Sequence, residues 1–161
     1  METNVAIAPT PLEPQRFFTG RWVGQGVVRA NLLLRWLIPS DRVQLTSEAE
    51  WHDVDQWTVR DRMEFTSGQV MERTMEARLV AADRVEISAP DMPKGAVLSL
   101  HADRFVFSPY LIDAKYNGRS ARLRCKDANV LTGPNTLRDT VRMYWGPIPL
   151  ITMTLDLKIE R

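Results

Sequence analysis

The chain of 161 residues contains one cysteine and two histidines, and this scarcity removes several classes of chemistry. Cys125 alone cannot form an internal disulfide, and His52 and His101, far apart and with no Cys-x-x-Cys pair, make a poor zinc set. No metal and no cofactor is expected. Long hydrophobic runs are also missing: the strongest, Leu32 to Ile38, is interrupted by Arg35 and falls well short of the roughly 20 residues that span a bilayer. An excess of one charge is absent too, since 21 Lys and Arg face 20 Asp and Glu for a net charge of +1. That balance gives no global field for nucleic acid or an anionic membrane, though it leaves room for a local basic patch, and the five tryptophans do not alternate with basic residues as a stacking platform would. Gly20, Gly24 and Gly26 follow strand spacing, not the strand-to-helix turn that cradles phosphate. The first fifteen residues lack a basic stretch followed by an apolar one, so a secretory leader is not expected and a cytoplasmic location is.

What the chain does contain is ordinary globular material, with 44% apolar and 25% charged residues. Its length suits one domain with a proper core. Three prolines between positions 9 and 14 mark residues 1–15 as a flexible arm, leaving 16–161 for the fold.

From Arg42 onward apolar residues fall on alternate positions, the period of a half-buried strand. Val43, Leu45, Ala49 and Trp51 share one face, as do Trp57, Val59, Met63 and Phe65, and then Met71, Met75, Ala77 and Leu79. Gly68 suits the last position of a three-residue hairpin loop, a register that pairs Met63 with Met71 and Asp61 with Arg73. Asn117-Gly118 is a strong two-residue turn signal that pairs Tyr110 with Cys125 and Ile112 with Leu123. A hairpin at His101–Arg104 closes Leu98–Leu100 onto Phe105–Phe107. Two final strands, Asp139–Trp145 and Leu150–Ile159, put Val141, Met143 and Trp145 inward, with a loop expected over Asn129–Thr136. Nine or ten strands linked mainly by hairpins, apolar on one face, must curl or fold over to bury that face. An all-β, antiparallel up-and-down barrel of about 8–10 strands is the leading architecture, and a two-sheet sandwich is the alternative. Residues 31–38 form either a short helix plugging one end or an extension of the first strand.

The segment Phe17-Phe18-Thr19-Gly20-Arg21-Trp22 resembles the Gly-x-Trp signature that opens lipocalins and other calycins. Small glycines at the front and an Arg/Met-rich penultimate strand also resemble a bacterial calycin-like family described as a domain of unknown function. The resemblance implies that Trp22 packs across the closed end of a barrel, beneath an arginine from a late strand, Arg142 or Arg124. It further implies binding of a hydrophobic small molecule or, in a minority of such proteins, isomerase, cyclase or lyase chemistry.

Polar residues in the inward phase are the informative exceptions. Ser47, Asp61 and Arg73 form one cross-strand row if Trp51 pairs with Trp57. An isolated charge there would cost several kcal/mol, so Asp61 and Arg73 either pair structurally or anchor a ligand beside a wet cavity. Tyr110 and Cys125 are cross-strand neighbours, with Asp127 and Asp139 continuing the phase. A buried carboxylate or Tyr110 can act in proton transfer; equally, Cys125 simply packs, and Asp127 and Asp139 cap a loop. The candidate ligand-binding set is Ser47, Asp61, Arg73 and Tyr110, with Trp57, Met63, Met75, Phe107 and Met143 as apolar lining. The catalytic candidates are Asp61, Tyr110 and Asp127. Three functions follow: a binder of a hydrophobic or amphipathic small molecule, a cofactor-free isomerase, cyclase or lyase, and a module that forms a homodimer through an uncovered sheet edge.

Overall fold

A computed structural model of the chain describes residues 10–116 and 118–160. Its strands are β1 (Gly20–Ala30), β2 (Asp41–Trp51), β3 (Gln56–Phe65), β4 (Val70–Ala81), β5 (Arg84–Ser88), β6 (Ala96–Leu100), β7 (Arg104–Phe107), β8 (Tyr110–Tyr116), β9 (Arg119–Gly133), β10 (Thr136–Trp145) and β11 (Ile148–Glu160). A one-turn helix, α1 (Pro14–Phe17), precedes them, and a turn of 3₁₀ helix covers Leu32–Leu34. Neighbouring strands pair antiparallel, β1 pairs with β11, and β9 pairs with both β7 and β10, so the sheet closes on itself. β7 and β8 occupy the same edge of β9, against Ala128–Val130 and Arg119–Cys125 respectively. They are one strand position interrupted at Ser108-Pro109, where proline has no amide hydrogen to offer the ladder. The result is a closed ten-strand up-and-down barrel.

The alternating phase translates directly into this wall. Val43, Trp57, Val85, Leu98, Cys125 and Leu155 are the most deeply buried side chains, each on an inward position, and each large apolar one contributes about 1.5–3 kcal/mol by burial. The expected pairings Trp51 with Trp57, Ser47 with Asp61, Asp61 with Arg73 and Met63 with Met71 are all present, as are Tyr110 with Cys125 and Leu98 with Phe107. Gly68 adopts φ +90° in its hairpin loop. Asn117 lies outside the described residues, while Tyr116 pairs with Arg119 around it.

Gly24 and Gly26 serve close approach: a Cβ at either would lie 2.0 or 1.9 Å from the carbonyl oxygen of Asp156 or Thr154 on β11. One end of the barrel is shut by α1. The Trp22 indole N–H donates to the Phe17 carbonyl and that of Trp51 to the Phe18 carbonyl, each at 2.7 Å, while Phe18 stacks on Trp57 with centroids 5.2 Å apart. Leu12 is buried and its amide donates to the His101 carbonyl. Ordered structure therefore starts before residue 16.

Four expectations are corrected. The segment 31–38 carries a short helical turn but plugs nothing: Leu32, Leu33, Trp36 and Leu37 point to solvent. Trp145 is 60% exposed, because the β10–β11 register slips between Met143 and Tyr144 and strands it at the rim. Asn129–Thr136 is no loop, since β9 runs on to Gly133. Arg142 and Arg124 lie exposed on the outer wall and do not cover Trp22, because their positions have the outward phase. His52 and His101 are exposed, as expected.

Candidate functional site

The barrel is not closed along its whole height. β5 pairs with β4 only from Glu76 onward, and β8 pairs only with β9, so the Val70–Met75 half of β4 and β8 face each other without a ladder. The loop after β5 crosses this gap. Asp91 places its carboxylate on the Arg73 guanidinium, Oδ1 3.1 Å from Nε and Oδ2 3.0 Å from Nη2, and its carbonyl accepts from the Asp113 amide of β8 at 2.8 Å. Arg73 thus takes Asp91 as its ion-pair partner, not Asp61, with one hydrogen bond at Nε and a close charge contact at Nη2. No periodicity marks a loop residue, and sequence reasoning missed it for that reason.

Above the closed end lies a small chamber of about 130 Å³. Phe17, Phe18, Trp22 and Trp57 line its base, and Ser47, Asp61, Arg73, Tyr110, Asp127, Asn129 and Asp139 form a polar layer around it, with Met75 and Phe107 between. Sequence-derived candidates from six strands, β2, β3, β4, β7, β8 and β9, therefore converge. Asn129, and the inward role of Asp139 in place of a loop cap, emerge only once β9 and β10 are seen to be longer: Asn129 stands opposite Asp139 and Asp127 opposite Val141.

The electrostatics of this layer are lopsided. Tyr110 Oη donates to Asp127 Oδ2 at 3.2 Å and Asn129 Nδ2 to Asp127 Oδ1 at 3.1 Å. Burial pushes Asp127 above the ordinary carboxylate range, and the hydrogen bonds from Asp139 and Tyr110, with the charge of Arg73, only partly oppose it. Asp139 is raised well above that range, by burial first and then by the charge of Asp127. Asp127 and Asp139 therefore titrate as a pair, with Asp139 the more strongly raised. Asp61 is raised by burial, against a hydrogen bond from Ser47 and the charge of Arg73. Burial opposes the charge on Arg73, but the charge and hydrogen bond of Asp91, with the charge of Asp61, favour the protonated guanidinium. Burial likewise raises Tyr110, so it stays a phenol, and pushes the Cys125 thiol up to about 12. Cys125 packs as an inert side chain. Asp61 Oδ1, Asp139 Oδ1, Arg73 Nη2 and the Trp57 indole N–H are covered and have no hydrogen-bond partner, which is a costly state for groups of this kind.

One inward position further along the same strands, about 7 Å by strand rise, the character changes. Met63, Met71, Met143 and Met153 with Val28, Phe65, Ile112 and Ile151 line a cavity of about 480 Å³ at the other end of the barrel, with Ile38 and Pro39 at its edge. Met63 and Met143 thus belong to this mouth, whereas Ser47, Trp57, Asp61, Arg73, Met75, Phe107 and Tyr110 belong to the inner chamber. A larger concavity of about 960 Å³ lies between Glu76–Arg78, β5 and the 92–97 and 108–111 segments; it is open and half polar, without the enclosure a small-molecule site needs. Among the described residues no group of three His, Cys, Asp or Glu is disposed to hold a metal ion, and no helix is long and apolar enough to cross a membrane.

A ten-strand antiparallel barrel sealed by an N-terminal turn over a Gly-x-Trp strand, with an apolar mouth above a polar layer, is a calycin-like fold. Solved structures bear this out. The S-type phycobiliprotein lyase CPES from Guillardia theta superposes with a TM-score of 0.62 at 9% identity, covering 93% of each chain. Rv2717c from M. tuberculosis gives 0.61 at 14% identity, over 89% of this chain and 93% of that one. A Nostoc punctiforme protein of unknown function from the DUF3598 family gives 0.60 at 19% identity, over 99% of this chain and 52% of that one, so this chain spans about half its length. Neither a protein-family model nor a curated protein matches the chain.

Proposed function

We propose that the protein binds an amphipathic small molecule, its apolar part among the methionines of the mouth and its polar head on the carboxylate layer. The observation that carries this reading is the two-tier cavity: an apolar chamber directly above a ring of polar groups that the fold leaves partly unpartnered. Methionine side chains adapt to varied shapes. The layer holds three acidic side chains, Asp61, Asp127 and Asp139, beside one arginine already paired with Asp91, so a head bearing N–H or O–H donors, or a positive charge, satisfies it best. Quenching of tryptophan fluorescence, with Trp57 stacked at the base of the chamber, can be titrated with decylamine, decanol and decanoate. Decylamine is expected to bind at least about tenfold more tightly than decanoate, as one charge-assisted contact implies, and Asp61→Asn is expected to remove most of that preference. Equal weak binding of all three by the folded protein rejects the reading.

The buried cluster of Asp127, Asp139 and Tyr110, with both carboxyls raised and the Tyr110 hydroxyl on Asp127, supports a second reading, a cofactor-free isomerase, cyclase or lyase in which this pair and Tyr110 move a proton. Incorporation of solvent deuterium at the α-carbons of bound 2-undecanone tests it. Exchange above the buffer rate that Asp139→Asn abolishes supports catalysis, and exchange no faster than buffer leaves the chamber a binding site.

A further inference from the structure

The rim of the mouth carries a patch that neither the core nor the cavity uses. Leu33 and Trp36 are 79% and 80% exposed, Leu32 and Leu37 more than half, and across the mouth's edge Trp145 and Ile148 are exposed at the β10–β11 turn. The two groups form one surface. Asn31 Nδ2 donates to the Pro149 carbonyl at 3.0 Å and the Asn31 amide to the Leu150 carbonyl at 2.8 Å, which fastens the 31–38 segment to that turn. A soluble domain rarely leaves two tryptophans and four branched aliphatics on one rim without a partner.

The charges around the patch define that partner. Arg29, Thr152, Arg142 and Lys126 stand in one cross-strand row on the outer wall of β1, β11, β10 and β9. Arg124 follows on β9, and Arg124 and Lys126 both lie over the Tyr144 ring, at 5.2 and 5.5 Å from its centroid. Arg35 sits within the apolar segment itself. Elsewhere on the wall Arg21, Arg60, Arg62, Arg122 and Arg138 each face an acid; among the described residues Arg29, Arg35, Arg124, Lys126 and Arg142 pair with none. The segments 31–40 and 145–149 contain no acidic residue. Within a total charge near zero, this row of cations without acidic partners borders the exposed apolar rim, with Asp41 at the start of β2 the acid that follows the 31–40 segment. Arg142 is three residues along β10 from Trp145, about 10 Å by strand rise, which is close to the separation between the acyl boundary and the phosphates above it.

We propose that this rim is a docking surface for an anionic lipid bilayer, with Leu32, Leu33, Trp36, Leu37, Trp145 and Ile148 entering the interface and the basic row meeting the phosphates. Aromatic and aliphatic tips with flanking cations are the combination that holds a peripheral protein at a charged membrane surface. The proposal does not depend on what the cavity binds. It does place the mouth, whose edge is Ile38 and Pro39, against the lipid phase, where an amphipathic ligand would partition.

The test is sedimentation of the full chain with vesicles of phosphatidylcholine alone and with about one-third phosphatidylglycerol. Binding to the anionic vesicles is expected to be at least about tenfold stronger and to weaken at high salt. Leu33→Ser with Trp36→Ser, and separately Arg142→Glu with Lys126→Glu, are each expected to reduce it about tenfold or more. These positions are exposed, and an unchanged circular-dichroism spectrum and melting temperature of both variants show the barrel intact. Equal failure to bind either vesicle overturns the proposal. So does a concentration-dependent dimer, seen by analytical ultracentrifugation, that the Leu33 and Trp36 changes dissolve while vesicles remain unbound.

Discussion

Asp91 reaches from a loop to hold the Arg73 guanidinium by two contacts of 3.1 and 3.0 Å, and its own carbonyl is bonded to β8. One residue thereby ties together two strands that share no ladder, at the height of the polar layer. Removing it has two effects, a lost cross-link and a guanidinium left beside apolar walls. Asp91→Ala is expected to cost about 1–3 kcal/mol in urea unfolding, at the lower end because both partners keep some contact with water. A double-mutant cycle with Arg73→Met measures the coupling, expected at about 1–2 kcal/mol. Coupling indistinguishable from zero would show that the loop is placed by Met92 burial alone.

Asp61, Asp127 and Asp139 are all raised above their unfolded values by burial. A carboxyl whose folded pKa exceeds its unfolded one binds more protons in the native state over the interval between the two, so stability falls as pH rises through that interval. These three groups therefore favour the fold at about pH 4 and oppose it above their raised values. Asp139→Asn, which keeps the shape and removes the ionisable proton, is expected to flatten that fall and to gain about 1–2 kcal/mol near neutral pH. Urea midpoints at acid and neutral pH, compared between wild type and variant, decide it. A variant with an unchanged pH slope would show that Asp139 does not carry this pH dependence.

Tyr110 stabilises the anionic form of Asp127 by its hydrogen bond. Tyr110→Phe removes the donor, so the Asp127 carboxyl is expected to titrate still higher, by carboxyl-resonance NMR. The stability cost is about 1 kcal/mol. A downward move would mean that the phenol does not serve as the donor.

Cys125 is buried, with its thiol raised to about 12, so a thiol-specific disulfide reagent at pH 8 is expected to label it only as fast as the barrel opens. In urea it labels at once. Rapid labelling of the native protein would reveal an opening between β8 and β9 that the packing does not provide.

Gly24→Ala places a methyl 2.0 Å from the Asp156 carbonyl oxygen, where the obstacle is backbone and cannot rotate away. The expected loss is about 2–4 kcal/mol, the upper range for overpacking, whereas Gly68→Ala meets open space and costs only the strain of its positive φ, about 1 kcal/mol. Paired thermal melts separate the two causes.

Much of this architecture was legible because strand phase and turn chemistry agree. The row of Ser47, Asp61 and Arg73 follows from the length of one loop and the glycine of another, and the structure has it in register. Asp91 was invisible, because a loop residue has no phase and its partner is chosen by where the loop crosses the wall. Asn129 and Asp139 were obscured by the Gly-Pro-Asn turn: its breaker residues suggested a long loop, whereas the strands run up to it on both sides. The apolar run 31–38 reads as an end plug or a strand extension, because hydrophobicity alone does not tell a buried segment from an exposed one. Arg142 was assigned by analogy, against the outward phase that its own strand gives it.

The closure of the barrel by β1 against β11 joins residues roughly 130 positions apart, from Arg21 with Glu160 to Ala30 with Ile151. Hairpins between successive strands can zip locally within microseconds, but this last seam must wait until the whole ribbon has curled. Until then β1 and β11 are two bare edges on one chain, and a second copy offers each of them the same hydrogen bonds. Glycines at positions 24 and 26 let only a backbone pressed tightly against β1 complete the seam, so the features that seal the finished barrel also govern how long the nascent chain remains open to exchange with its neighbours.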